Sequence, residues 1–188
     1  VETEAELRMV IRLGVDLIQG YYTAKPAYEF LEEIPAQIRN TICAEHNKIG
    51  VTSGRKVYLV SMEREVSLVH LAMQDYTEIT VTTPELRIQG SLDFTADMTI
   101  RIKDGLHCVL TINDVRLHSV DDLPCIEVGE GSILTLVLEG ENTLNATGIH
   151  VPEGGTMITK GTGKLSINAK GHDCFGIGCP GNESVGSL

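Results

Sequence analysis

Tryptophan is missing from this 188-residue chain, and all aromatic residues together make up 4% of it. A core built on large rings is thereby excluded, and burial must come from aliphatic side chains. Basic residues are also few: 15 Lys and Arg stand against 26 Asp and Glu, a formal net charge of −11. A field of that sign repels phosphate backbones, so nucleic-acid binding is not expected. No stretch of the sequence reaches the roughly 18 consecutive apolar residues of a membrane helix. No basic-then-apolar leader opens the chain either. It starts Val-Glu-Thr without a methionine, so the natural start is expected upstream.

Five cysteines are present, Cys43, Cys108, Cys125, Cys174 and Cys179. Their odd number and scattered spacing do not make a disulfide framework, and Cys174 and Cys179 lack the partners a zinc site needs. They are expected as small buried hydrophobes in a reducing compartment. Acidic residues gather at prospective corners (Asp121, Asp122, Glu130, Glu139, Glu141, Glu153). Calcium wants several oxygen ligands in a spaced loop, which is absent here, so these are expected as solvated corners. His107, His118, His150 and His172 show no metal-ligand spacing and read as surface or rung residues.

What the chain does have is 42% hydrophobic residues and 19 glycines. That suits thin, repetitive β-structure with many corners better than a conventional globule. Two rhythms divide it. Residues 1 to about 45 read as helix, strand, helix. Thr3 and Glu6 form a T-x-x-E capping box, and Leu7, Val10 and Ile11 follow a helical period that Gly14 should end. Val15 to Gln19 reads as a short buried strand, and Pro26 opens a second helix whose apolar face is Tyr28, Phe30, Leu31 and Ile34. Pro35 should bend or interrupt that helix.

From about Gly54 the pattern becomes alternating: Ile79–Thr82, Leu86–Ile88, Met98–Ile102, Val109–Ile112, Leu134–Leu138 and Leu165–Ile167. Glu63 to Gln74 fits a helix or two strands equally. A repeat is visible in the last third, where Cys125-Ile126-Glu127-Val128-Gly129-Glu130-Gly131 returns as Gly148-Ile149-His150-Val151-Pro152-Glu153-Gly154. The following Ile133–Leu136 matches Thr156–Thr159, Gly140–Leu144 aligns with Gly161–Leu165 within a residue or two, and Phe175–Gly178 is a looser echo. A period in the low twenties with glycine corners is that of one coil of a parallel β-helix. The fold class expected is mainly β, a right-handed parallel β-helix over 46–188 that is cut at its C-terminal end, preceded by an α-β-α segment over 1–45.

Val1–Glu4, Leu13-Gly14-Val15-Asp16 and Gln19-Gly20-Tyr21-Tyr22 with Lys25-Pro26 resemble, in order and spacing, the C-terminal end of EAL domains. The resemblance implies a TIM-like barrel that hydrolyses cyclic di-GMP with Mg2+ or Mn2+, the ions activating water against a phosphodiester. It places Gln19 at the C-terminal mouth of the last barrel strand, as a substrate-binding residue. It also places the catalytic glutamate and the metal ligands upstream of Val1. No catalytic residue, no metal ligand and no bound metal are therefore expected in this chain, although the parent could be active. Gly148–Gly154, Gly161–Leu165 and Phe175–Gly178 resemble the carbohydrate-binding β-helix repeats of bacterial proteins. That resemblance implies a polysaccharide or protein partner. Joined to an EAL end, it implies a cytoplasmic location, with any membrane anchor of the parent lying upstream. A polysaccharide-binding or structural β-helix with a degenerate barrel is the other function the sequence allows.

Overall fold

The computed structural model describes residues 1–12, 17–25, 34–49, 55–119, 123–170, 175–180 and 184–187. The chain divides into two compact units, Val1–Val57 and Tyr58–Leu188.

In the first unit, helix α1 spans Glu4–Arg12 and helix α2 spans Ala36–Ile49. Thr3 caps α1 as its sequence predicts: its Oγ1 accepts from the Glu6 N–H at 3.2 Å, while the Glu6 carboxylate accepts from the Glu2 N–H at 2.8 Å. Leu7, Ile11 and Ile38 form a small core with Val1, Ile18, Tyr22 and Ile42 packed around it. The helix expected from Pro26, the stop at Gly14 and the first half of the strand expected at Val15 lie outside the described residues. Its second half, Leu17–Gln19, has no regular strand assignment. Pro35 stands directly before α2, its carbonyl accepting from the Arg39 N–H at 3.1 Å, and the helix it is expected to interrupt lies outside the described residues. A residue without an N–H loses nothing there.

The second unit is a β-solenoid of about five turns, in which the strand pairings from Glu65 to Gly178 are parallel. Each of coils two to five lays one strand in each of three sheets. The first sheet stacks β1 (Val57–Val60), β3 (Glu78–Val81), β6 (Thr99–Ile102), β9 (Ile126–Glu127), β12 (Ile149–His150) and β15 (Ile177–Gly178). The second stacks β2 (Glu65–Ser67), β4 (Glu85–Gln89), β7 (His107–Asn113), β10 (Ile133–Glu139) and β13 (Thr156–Gly161). The third stacks β5 (Ala96–Asp97), β8 (Arg116–His118), β11 (Glu141–Ala146) and β14 (Lys164–Ala169).

Register turns the alternation of the sequence into columns. Ile79, Ile100, Ile126, Ile149 and Ile177 are successive partners in the first sheet. The first four are fully buried, whereas Ile177, with no described coil beyond it, is 41% exposed. Burial of each inward residue thus depends on the coil stacked upon it. Leu86, Leu110 and Leu136 form the matching column of the second sheet. The 23-residue repeat is borne out where Ile126 pairs with Ile149 and Leu134 with Met157. After the corner the pairing runs two residues further than the sequence alignment: Leu144 stacks on Ile167, and the Gly163 N–H donates to the Leu138 carbonyl at 2.9 Å.

The ambiguous stretch from Glu63 resolves into both alternatives, strand β2 followed by helix α3 (Leu68–Met73). Ser67 caps α3 through its side chain, and Leu68 and Leu71 are buried. The helix follows the strand of coil one where later coils lay a third strand, and it packs against β5.

The sharp corner between second and third sheets is held by a buried amide. Asn142, 1% exposed, accepts from the Val115 N–H at 2.9 Å and donates to the carbonyls of Glu139 at 2.7 Å and Lys164 at 3.2 Å. Three successive coils are thereby tied through one side chain. Beside it Gly140 has φ +59°, and a Cβ there would collide with the Asp114 carboxylate, which itself accepts from the Glu141 N–H at 2.9 Å.

Candidate functional site

In the first unit the residue singled out by sequence, Gln19, is exposed. Its carbonyl accepts from the Val1 amino group at 2.8 Å, and the Tyr22 N–H donates to the Val1 carbonyl at 3.2 Å. The chain at Val1 and the chain at Gln19–Tyr22 are thus bonded side by side, with α1 crossing between them. Leu17 is 90% exposed while Ile18 and Tyr22 pack on the small core, so Gln19 projects outward by strand-like alternation. Gly20 permits the contact, since a Cβ there would overlap the Val1 carbonyl. A tight turn follows, in which Thr23 and Ala24 donate to the Gly20 carbonyl at 3.1 and 3.0 Å. The Tyr22 hydroxyl donates to Glu4 at 3.2 Å, and Glu4 also pairs with Arg8 at 2.6 Å. Desolvation first, then the neighbouring Glu4 carboxylate, pushes the Tyr22 phenol above its ordinary value.

No group of three or more His, Cys, Asp or Glu that could hold a metal ion occurs among the described residues. The EAL resemblance places the metal ligands upstream of Val1, and the described side chains near Gln19 would not by themselves hold the ions.

On the solenoid, two outward columns line hollows. Along the first sheet, Arg101 is held between Glu78 at 3.2 Å and Glu127 at 2.8 Å, with His150 next in register above Glu127. A hollow of about 230 Å³ lies beside them, also touched by Asp104 and Glu130. Its lining sets one guanidinium, Arg101, against the carboxylates of Asp104, Glu127 and Glu130. Along the third sheet, Asp97, His118, Asn145 and Asn168 are successive partners. His118 Nδ1 lies 3.3 Å from Asp97, Asn145 donates to the Leu117 carbonyl at 3.2 Å, and Asn168 donates to the Asn145 side-chain oxygen at 3.0 Å. A groove of about 420 Å³ lies over this column, lined by His118, Asn145, Ala146, Asn168 and Lys170.

No family model, curated protein or solved structure matches the chain.

The lysines of the fifth coil are divided between two sheets. Lys160 lies in β13 of the second sheet, whereas Lys164 lies in β14 of the third and pairs with Glu141 at 3.3 Å. Among the acidic corners, Glu139 pairs with Arg87 at 2.6 Å, two coils away, and that hydrogen bond holds its carboxyl below the ordinary value. Asp121, Asp122, His172 and Cys174 lie outside the described residues. Cys108 and Cys125 are buried, and desolvation pushes their thiols up to about 11 and about 12. They pack as small apolar groups and offer no nucleophile.

The third-sheet column escapes a sequence search because coil length varies. Stacked Gln89 and Asn113 are 24 residues apart, Val115 and Asn142 are 27 apart, and Asn145 and Asn168 are 23 apart. Only the last interval matches the visible repeat.

Proposed function

We propose that this chain is a fragment of a cyclic di-GMP signalling protein, an EAL-type barrel end followed by a β-solenoid that binds a ligand or partner. The observation that supports the first half is local. The backbone at Val1 bonds to Gln19 and Tyr22, the segments before and after helix α1; neither segment is a strand here, and their proximity is what the two strands flanking a helix of a TIM-like barrel would share. The motifs around Gln19-Gly20-Tyr21-Tyr22 supply the resemblance, and Gln19 faces outward as a substrate-binding residue must. Mg2+ or Mn2+ would belong to the parent, bound by residues other than those described here. A cytoplasmic location follows from the substrate.

A second reading keeps the solenoid as a polysaccharide-binding domain beside a degenerate barrel, and the groove over the third sheet, with His118, Asn145, Asn168 and Lys170 in its lining, favours it. One assay separates the two. The 188-residue chain, incubated with cyclic di-GMP and either ion, should leave the dinucleotide intact. A polypeptide extended upstream through the reading frame should linearise it, and Gln19→Ala in that polypeptide should slow the reaction without unfolding it. An inert extended polypeptide with a substituted E-A-L signature favours the second reading. Turnover by the 188-residue chain alone would sink the first.

A further inference from the structure

We infer that the outward face of the second sheet docks against the same face of a second copy of this chain. The two stacks run in opposite directions, related by a two-fold axis parallel to the strands. Every residue involved lies in the solenoid, so the inference does not depend on the cyclic di-GMP reading.

Composition singles out this face. The outward column of the first sheet holds Arg101, Glu127 and His150, and that of the third holds Asp97, His118, Asn145 and Asn168. The second sheet instead turns out Val109, Ile133, Val137 and Ile158, with Thr111 and Thr135 among them. Val109 is 40% exposed and Ile158 43%, although both lie inside strands whose alternate residues are buried. β-branched side chains are stiff at χ1, so they lose little freedom when a partner covers them. The ion pair that crosses the face, Arg87 with Glu139, is closed within each copy.

Charge selects the partner and its orientation. One outward column reads Glu65, Arg87, Thr111, Val137 and Lys160 from coil one to coil five. A two-fold axis through coil three, parallel to the strands, sets coil one of each copy against coil five of the other. Glu65 then meets Lys160 at both ends of the face, Arg87 meets Val137, and in the neighbouring column Val109 meets its own copy. The alternative two-fold, parallel to the solenoid axis, sets each coil against itself, with Glu65 on Glu65 and Lys160 on Lys160. Like charges so placed repel, which leaves the reversed stack as the complementary one.

Area sets the strength. Five strands about 4.8 Å apart and about six residues long present about 500 Å² per copy, or about 1,000 Å² for the pair. That reaches the lower bound of a specific interface and stays under the size of a permanent one, so the dimer is weak and reversible.

Sedimentation equilibrium of the 188-residue chain over about 1–300 μM should show a monomer–dimer equilibrium with a dissociation constant in the micromolar range. Val109→Glu places two carboxylates on the axis and should leave the chain monomeric throughout. Lys160→Glu and Glu65→Lys should each weaken the dimer by about tenfold, because the pair occurs twice and turns repulsive. Combined in one chain they should restore it to within about twofold. Lys170→Glu, beside the third sheet, should change nothing. A zero-length carbodiimide cross-link should join Lys160 to Glu65; within one copy these residues are four strand spacings apart, about 19 Å, so that link forms only between copies. The inference falls if the chain stays monomeric at the highest concentration, if Val109→Glu leaves the dimer intact, or if the double swap fails to restore what each single swap weakened. Should Val109→Glu lose its far-ultraviolet circular dichroism, the charge swaps and the cross-link decide. Cyclic di-GMP turnover is read on the other unit, so its success or failure leaves this result intact.

Discussion

Replacing Asn142 by alanine should be among the most damaging single changes to the solenoid. The side chain is 1% exposed and makes three hydrogen bonds to backbone groups of three coils: Val115, Glu139 and Lys164. A net contribution of about 1 kcal/mol per bond gives about 3 kcal/mol, and the stranded Val115 N–H adds a desolvation cost of similar size to one bond. Against a usual total stability of about 5–15 kcal/mol this is a large fraction. The chain has no tryptophan, so urea unfolding is best followed by far-ultraviolet circular dichroism. With an ordinary m-value, the midpoint should fall by about 1–2 M at unchanged slope. Asn142→Asp gives the second arm. It keeps an acceptor for Val115 but turns a carboxylate toward two carbonyl oxygens, so it should be worse than alanine at neutral pH and recover on acidification, when the acid regains a donor. An unfolding free energy for Asn142→Ala within about 0.5 kcal/mol of wild type, the usual scatter of surface changes, would refute the idea that this amide holds the corner.

Three further outcomes follow from the columns and their neighbours. Ile100→Ala, in mid-column and fully buried, should cost about 2–5 kcal/mol, whereas Ile177→Ala, at the half-open end, should cost under about 1 kcal/mol by the same urea titration. The Arg87–Glu139 pair gives an acid-side signature. Because the folded Glu139 carboxyl lies below its ordinary value, its contribution is present above the unfolded value and is lost as pH falls through the folded one. Arg87→Ala should therefore raise the carboxyl midpoint seen by NMR, and an unchanged midpoint would contradict the pairing. Cys108 and Cys125, buried with raised thiol values, should resist a water-soluble thiol reagent until urea unfolds the solenoid. Fast labelling of either in the folded chain would mean the coils open.

The solenoid was legible in the sequence because its inward positions must alternate and must recur where coils stack. Ile126 and Ile149 declare this at a glance, since their coils have equal length at every sheet. The earlier coils are less visible. Strand β5 has two residues, too few for any alternation to register. Helix α3 hides in a segment whose Leu68 and Leu71 serve a helix and a strand alike, and only the Ser67 cap tips the balance. The outward column of His118, Asn145 and Asn168 could not be read at all. Outward residues answer to neighbours one coil away, and the 27-residue interval between the third and fourth coils breaks any fixed-period search. Gln19 is the reverse case: a motif proposed it, and the fold adds its outward position and its backbone bond to Val1.

Because α3 packs against β5, the early margin of the third sheet meets a helix instead of a further strand. A helix six residues long thereby shields that margin from recruiting a strand of another molecule, as natural sheets do with a covered edge.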